Sequence, residues 1–190
     1  MASITSFTSL KNRFHCRCYL LLISLYSNVY MSVPQEFLQF VGLPYQVNRS
    51  PWLGLEPDPA VNCQLATHLL YQASYNVILP PAMWSKEIHD DKQIFRDVDL
   101  SVEQLFEGDI GIFNPFNNYG QDPRKFHLAC FTGETVQGQP LFFHASIHAN
   151  GVAIWPLKDF FLPSRYSELI KVKRLQSDLF NSHILPVACQ

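Results

Sequence analysis

The 190-residue chain is poor in charge: 16% of its residues are Asp, Glu, Lys or Arg, and 14 bases against 16 acids leave a formal net charge of -2. With no long basic run it lacks the electrostatic footprint of a protein that tracks a phosphate backbone, so no nucleic-acid partner is expected. Cysteine is scarce too. Five in 190 residues are too few for a disulfide scaffold, and the odd count leaves at least one thiol unpaired within the chain. No heptad array, collagen-like period or solenoid repeat is visible. What the chain has in quantity is apolar and aromatic surface, 47% hydrophobic residues with 15 Phe, 8 Tyr and 3 Trp. That is enough to bury a sizeable core, and one domain is expected.

Residues 1–31 differ from the rest. Lys11, Arg13 and Arg17 precede the apolar run Tyr19 to Tyr26, the outline of a secretory signal but too short to cross a bilayer as a helix. No stable membrane anchor is therefore expected. Met31-Ser32-Val33-Pro34 also reads as a natural opening, with Ser32 as cap and Pro34 in the first helical turn. The segment is an N-terminal extension, either an export signal or sequence upstream of a true start at Met31, and residues 32–190 form the domain. Secretion or a periplasmic location follows from the first alternative, a cytoplasmic one from the second.

From Pro34 on, the apolar spacing predicts helices first. Phe37, Phe40 and Val41 suit a short one ending near Gly42, and residues 44–59 read as a long Pro- and Gly-containing loop. Asn62 caps a helix whose stripe is Leu65, Ala66, Leu69, Leu70 and Ala73, stopped by Pro80-Pro81, with another short helix over 82–88. Beyond Gly108 the period becomes two. Strands are expected at Ile110 to Phe113, at Phe126 to Phe131, over Leu141 to Ile147, after the Asn150-Gly151 turn, and over Leu169 to Leu175 with Lys171 and Lys173 alternating against apolar residues. Helices followed by an antiparallel sheet make an α+β domain.

Cys63 falls in the first turn of the Asn62-capped helix. A free thiol has a pKa of about 8.5, and a helix N-terminus favours the thiolate, so this cysteine is expected to be partly activated. His127 and His144 lie on successive strands that can set two imidazoles side by side, one as base and one orienting it. His148, four residues past His144, would allow a three-histidine metal site. No acidic ligand accompanies it at suitable spacing, and neither metal nor cofactor is expected.

The order of these features resembles the NlpC-like cell-wall cysteine peptidases of the papain superfamily, over about Gly42 to Leu175. Gly42-Leu43-Pro44-Tyr45 is similar to that family's Gly-x-Pro-Tyr loop, and Asn62-Cys63-Gln64-Leu65 stands where the family has Asp-Cys-Ser-Gly. Gly108-Asp109, His127-Leu128-Ala129-Cys130-Phe131, Phe142-Phe143-His144-Ala145-Ser146, Gly151-Val152, Arg165-Tyr166 and Arg174 follow in the family's order. The resemblance implies a papain-like fold, N-terminal helices packed on a C-terminal antiparallel sheet. It makes Cys63 the nucleophile, His127 the general base and His144 the third polar residue. Tyr45 would polarise the oxyanion; the long gap before Cys63 offers Trp52 for the same position.

The function so implied is hydrolysis of amide bonds by a thiol, in a peptidoglycan stem peptide at a γ-D-glutamyl–diamino acid bond or in another peptide substrate. The helix start without the family's Asp, Ser and Gly leaves other readings: an amidase or acyltransfer enzyme of the same fold acting on a protein or lipid, or a non-catalytic binding module.

Overall fold

A computed structural model describes residues 32–49 and 59–176; the N-terminal extension and Trp52 lie outside them. The order of elements is α1 (Gln35–Leu38), α2 (Cys63–Tyr75), α3 (Ser85–Asp90), β1 (Phe95–Asp97), β2 (Ile110–Pro115), a 3-10 turn (Pro123–Lys125), β3 (His127–Val136), β4 (Gln139–Ser146), β5 (Gly151–Pro156), α4 (Leu157–Phe160) and β6 (Tyr166–Leu175). The six strands make one antiparallel sheet in the order β1-β6-β2-β3-β4-β5. Apart from α4, which lies between β5 and β6, the α-helices precede the antiparallel sheet, as in an α+β domain. None of the described helices is long and apolar enough to cross a membrane.

Helix α2 is the longest and lies against β3 and β4. Its stripe buries Leu65, Ala66 and Leu70, and Tyr71 donates its hydroxyl to the Gly108 carbonyl at 2.7 Å. The helix stops at Tyr75, because Asn76 takes a left-handed conformation (φ 53°) as its cap. Pro80-Pro81 lies beyond that stop and does not cause it. On one sheet face Phe113, Ala129, Phe131 and Phe142 close over Phe160 and Tyr166. Phe113 and Phe160 stack at 4.4 Å, and such aromatic pairs contribute about 0.5–1.5 kcal/mol beyond their buried area.

Two polar features brace the sheet. Asp109, 1% exposed, accepts from Arg174 Nε at 2.8 Å and from its second guanidinium nitrogen at 2.7 Å. Gly108 before it has φ 85°, and a Cβ there would collide with the Tyr75 hydroxyl. Lys173 does not lie on a solvated face, contrary to the alternation in β6. Strand β1, absent from the sequence reading, pairs with β6. The Lys173 ammonium is enclosed and bonded to Asp97 at 2.7 Å and to the Asp91 carbonyl at 2.6 Å.

Candidate active site

Asn62 builds the start of the site. Its Oδ1 accepts the Leu65 N–H at 2.9 Å, as an N-cap does, while Nδ2 donates to the carbonyls of Arg49 (2.6 Å) and Val47 (3.2 Å). One side chain therefore ends the helix and holds the preceding loop. That loop carries Tyr45, and it is fastened at two more points. Val61 N–H reaches Pro44 O at 2.8 Å and Gln46 N–H reaches Val61 O at 2.9 Å; Gly42 and Leu43 exchange 2.9 Å bonds with Val152 of β5. Gly151 permits that approach, since a Cβ there would sit 2.5 Å from the Leu43 oxygen.

Cys63 follows as the first residue of α2. Its thiol donates to Gln64 Oε1 at 3.3 Å, and Gln64 Nε2 donates to Ser85 Oγ at 2.7 Å. Burial pushes the thiol up to about 11. The backbone N–H groups of Leu128, Gln64 and Cys63 and the Ser85 hydroxyl pull the other way, but less strongly. The expected activation by the helix start is thus overturned: only 7% of Cys63 is exposed, and losing water penalises the thiolate more than the helix end favours it.

His127 opens β3 and His144 lies in β4, whose register sets Cys130 opposite Phe143 and so puts the two imidazoles on a diagonal of one face. His127 Nε2 and His144 Nδ1 are 3.0 Å apart. The His127 ring stacks on Tyr166 at 4.6 Å, and His144 lies against Trp155 (4.2 Å) and Phe160 (4.7 Å). Burial, then the neighbouring His148, lowers His127 to about 3. Burial holds His144 well below the usual histidine range, with His127 and Arg165 adding to the effect. Both rings are neutral at pH 7.

Cys63, Tyr45, Gln64, His127 and Tyr166 line one cavity of about 660 Å³. His144 stands behind His127, outside the lining. Among the described residues no hydrogen bond joins the sulfur directly to the His127 ring. The Leu128 N–H that acts on the sulfur brings it to the start of β3, beside His127. His127 Nδ1 has no described partner. Burial and then Cys63 raise Tyr45 to about 12, so it presents a neutral phenol O–H. A thiol, a neutral imidazole with one uncommitted nitrogen and a phenol hydroxyl thus share one space.

Of the residues singled out in the sequence, Cys63, His127 and Tyr45 meet in the cavity, with His144 in contact through His127. Trp52 is outside the described residues. His148 reaches the cavity from the turn after β4, and among the described residues no group of three or more His, Cys, Asp or Glu is arranged for a metal. Cys130 lies beneath α2 with its sulfur 3.8 Å from Thr67 Oγ1, outside the cavity lining. Gln64, Ser85 and Tyr166 were not legible as site residues; Gln64 had only its place beside Cys63 to mark it. No protein-family model matches the chain, and no curated protein does.

Proposed function

We propose that the protein is a papain-like cysteine peptidase of the NlpC type, a thiol-dependent amide hydrolase acting on peptidoglycan stem peptides at the γ-D-glutamyl–diamino acid bond. The observation that carries this reading is the His127–His144 pair, 3.0 Å apart, with His127 facing the cavity that holds Cys63 at a helix start. The order Cys, His, His along the chain and the Gly42 to Tyr45 loop add support.

His144 decides which nitrogen of His127 is the base. Its Nε2 is buried without a hydrogen-bond partner, in a ring packed by Trp155 and Phe160. In this reading His144 carries its proton on Nε2 and accepts at Nδ1 from the His127 Nε2–H, the two nitrogens being 3.0 Å apart. That leaves His127 Nδ1 bare for the thiol, and ring 15N shifts showing a protonated Nδ1 instead would exclude it as base.

In the reaction the thiol proton passes to His127 Nδ1 as the sulfur attacks the carbonyl carbon. The resting thiol and imidazole are both neutral, so the ion pair forms only along this step. The oxyanion is received by the Tyr45 O–H and the Cys63 N–H. His127 returns the proton to the leaving amine, which departs as the C–N bond breaks and a thioester remains. Water, deprotonated by His127, then attacks the thioester; the carboxylic acid leaves and the thiol is restored. Incubation with purified stem peptides, with product masses read out, tests the proposal. Cleavage after D-glutamate by the wild type and not by Cys63→Ser is expected; intact peptide after prolonged incubation contradicts it.

A further inference from the structure

The cavity beside Cys63 is cationic although the chain is net acidic. Arg124, Lys125 and Arg165 line it, and no described lining residue is a carboxylate; His148, also in the lining, has its pKa lowered by burial and then by Arg165 and adds no charge at pH 7. Arg124 is already neutralised by Asp122, at 2.9 Å. Arg165 is different. It forms no ion pair among the described residues, yet it is firmly held: one guanidinium nitrogen donates to the Asp159 carbonyl at 2.8 Å and the group lies over the Trp155 ring at 4.2 Å. The residue before it, Ser164, has φ 65°. A positive φ is uncommon for a serine and is a local strain that the surrounding structure sustains. Arg165 lies at the cavity wall next to Tyr166, which stacks on the His127 ring.

We infer that Arg165 is a specificity-determining residue that binds a carboxylate of the substrate, restricting the site to acyl donors with a free carboxylate near the scissile amide. The inference rests on the proposed amide hydrolase site for its location and substrate class, and adds the residue that reads the carboxylate beside the scissile bond. A guanidinium with one nitrogen and one face already engaged is preorganised. It keeps further N–H donors for an oxygen pair, and their fork geometry suits a carboxylate better than a neutral amide. Lys125 on the same wall raises the local positive potential without fixing orientation.

The test uses binding, so that it does not depend on turnover. Full-length Cys63→Ala protein is titrated calorimetrically with two probes, N-acetyl-L-alanyl-γ-D-glutamyl-L-lysine amide and the same peptide with the glutamyl carboxylate converted to a carboxamide. The carboxylate peptide is expected to bind at least about tenfold tighter, the discrimination of one charge-assisted contact. Adding Arg165→Gln should bring the two affinities together, Arg165→Lys should keep part of the preference, and Lys125→Gln should keep most of it. Equal affinities in the Arg165 protein, no binding of either peptide, or a preference that survives Arg165→Gln would overturn the assignment. The comparison of the two peptides needs no substitution at Arg165, so it stands even where a variant folds poorly. A failed hydrolase reading looks different: the carboxylate preference persists while protein with Cys63 intact cleaves neither peptide.

Discussion

The thiol of Cys63 is the residue on which the proposed chemistry depends, and its environment makes it a resting neutral group. With its pKa pushed up to about 11, the rate of alkylation by iodoacetamide should rise steadily with pH and show no thiolate plateau below about pH 9. A plateau near neutrality would mean that the sulfur is already ionised. Substitutions should rank by role. Cys63→Ser should lower hydrolysis by at least about 10⁴-fold with the fold retained, since a hydroxyl is a far weaker nucleophile in place of the thiol. His127→Ala should approach that loss, because both base and acid are removed, the base alone supplying about 10²–10⁴-fold. His144→Asn should be milder, and Cys130→Ala should keep activity because that sulfur lies under α2. Steady-state kinetics of the four variants check the order. Cys63, His127 and His144 were legible in the sequence because a capped helix start and strand alternation fix their backbone positions. Gln64 and Ser85 were not, because they meet each other across 21 residues of chain.

At the level of elements, the join between the Tyr45 loop and α2 decides whether the cavity forms. Asn62 is suited to this join by its two ends: an oxygen caps the helix and an amino group binds two carbonyls. Asp at this position, which the resemblance would favour, could cap but would set a carboxylate against the Arg49 and Val47 oxygens. Asn62→Asp should therefore cost about 1–3 kcal/mol at pH 7, the cost of unsatisfied buried polar groups, and more than Asn62→Ser, which keeps the cap and only loses the clamp. Urea unfolding of the two variants checks this; equal stabilities would mean that the clamp contributes nothing. Element types were legible wherever periodicity was long, as in α2 and β3. β1 escaped because three residues carry no period, and its pairing with β6 is what buries Lys173.

For the molecule as a whole, the buried histidines tie stability to pH. His68, His127 and His144 all have pKa values lowered by burial, His127 to about 3. Their folded values lie below the unfolded value of about 6.5. The stability they contribute is therefore complete above pH 6.5 and is lost as pH falls, because the unfolded chain takes up protons that the fold refuses. Each such imidazole contributes a slope of up to about 1.4 kcal/mol per pH unit. Carboxylates enter only lower: Asp97 and Glu103, both held near 2, lose their stabilising contributions from about pH 4 downward. Urea midpoints between pH 6.5 and 5 should fall steadily, and His127→Gln should flatten the fall by up to one proton. An unchanged slope in that variant would show that His127 is not the buried neutral ring described. The α+β class was legible at this scale from the change of period near Gly108. The bracing of the sheet by Asp109 and Arg174 was not, since 65 residues separate the partners.

The central claim, that Cys63 attacks the substrate with His127 as its base, is tested most directly by trapping the acyl-enzyme. Protein is mixed with a γ-D-glutamyl stem peptide, quenched in acid within the first turnover and mapped by mass spectrometry. The mechanism predicts an adduct of the acyl fragment on the peptide containing Cys63, absent in Cys63→Ser and strongly reduced in His127→Ala. Turnover without an adduct on Cys63, or hydrolysis that survives Cys63→Ser, would contradict it.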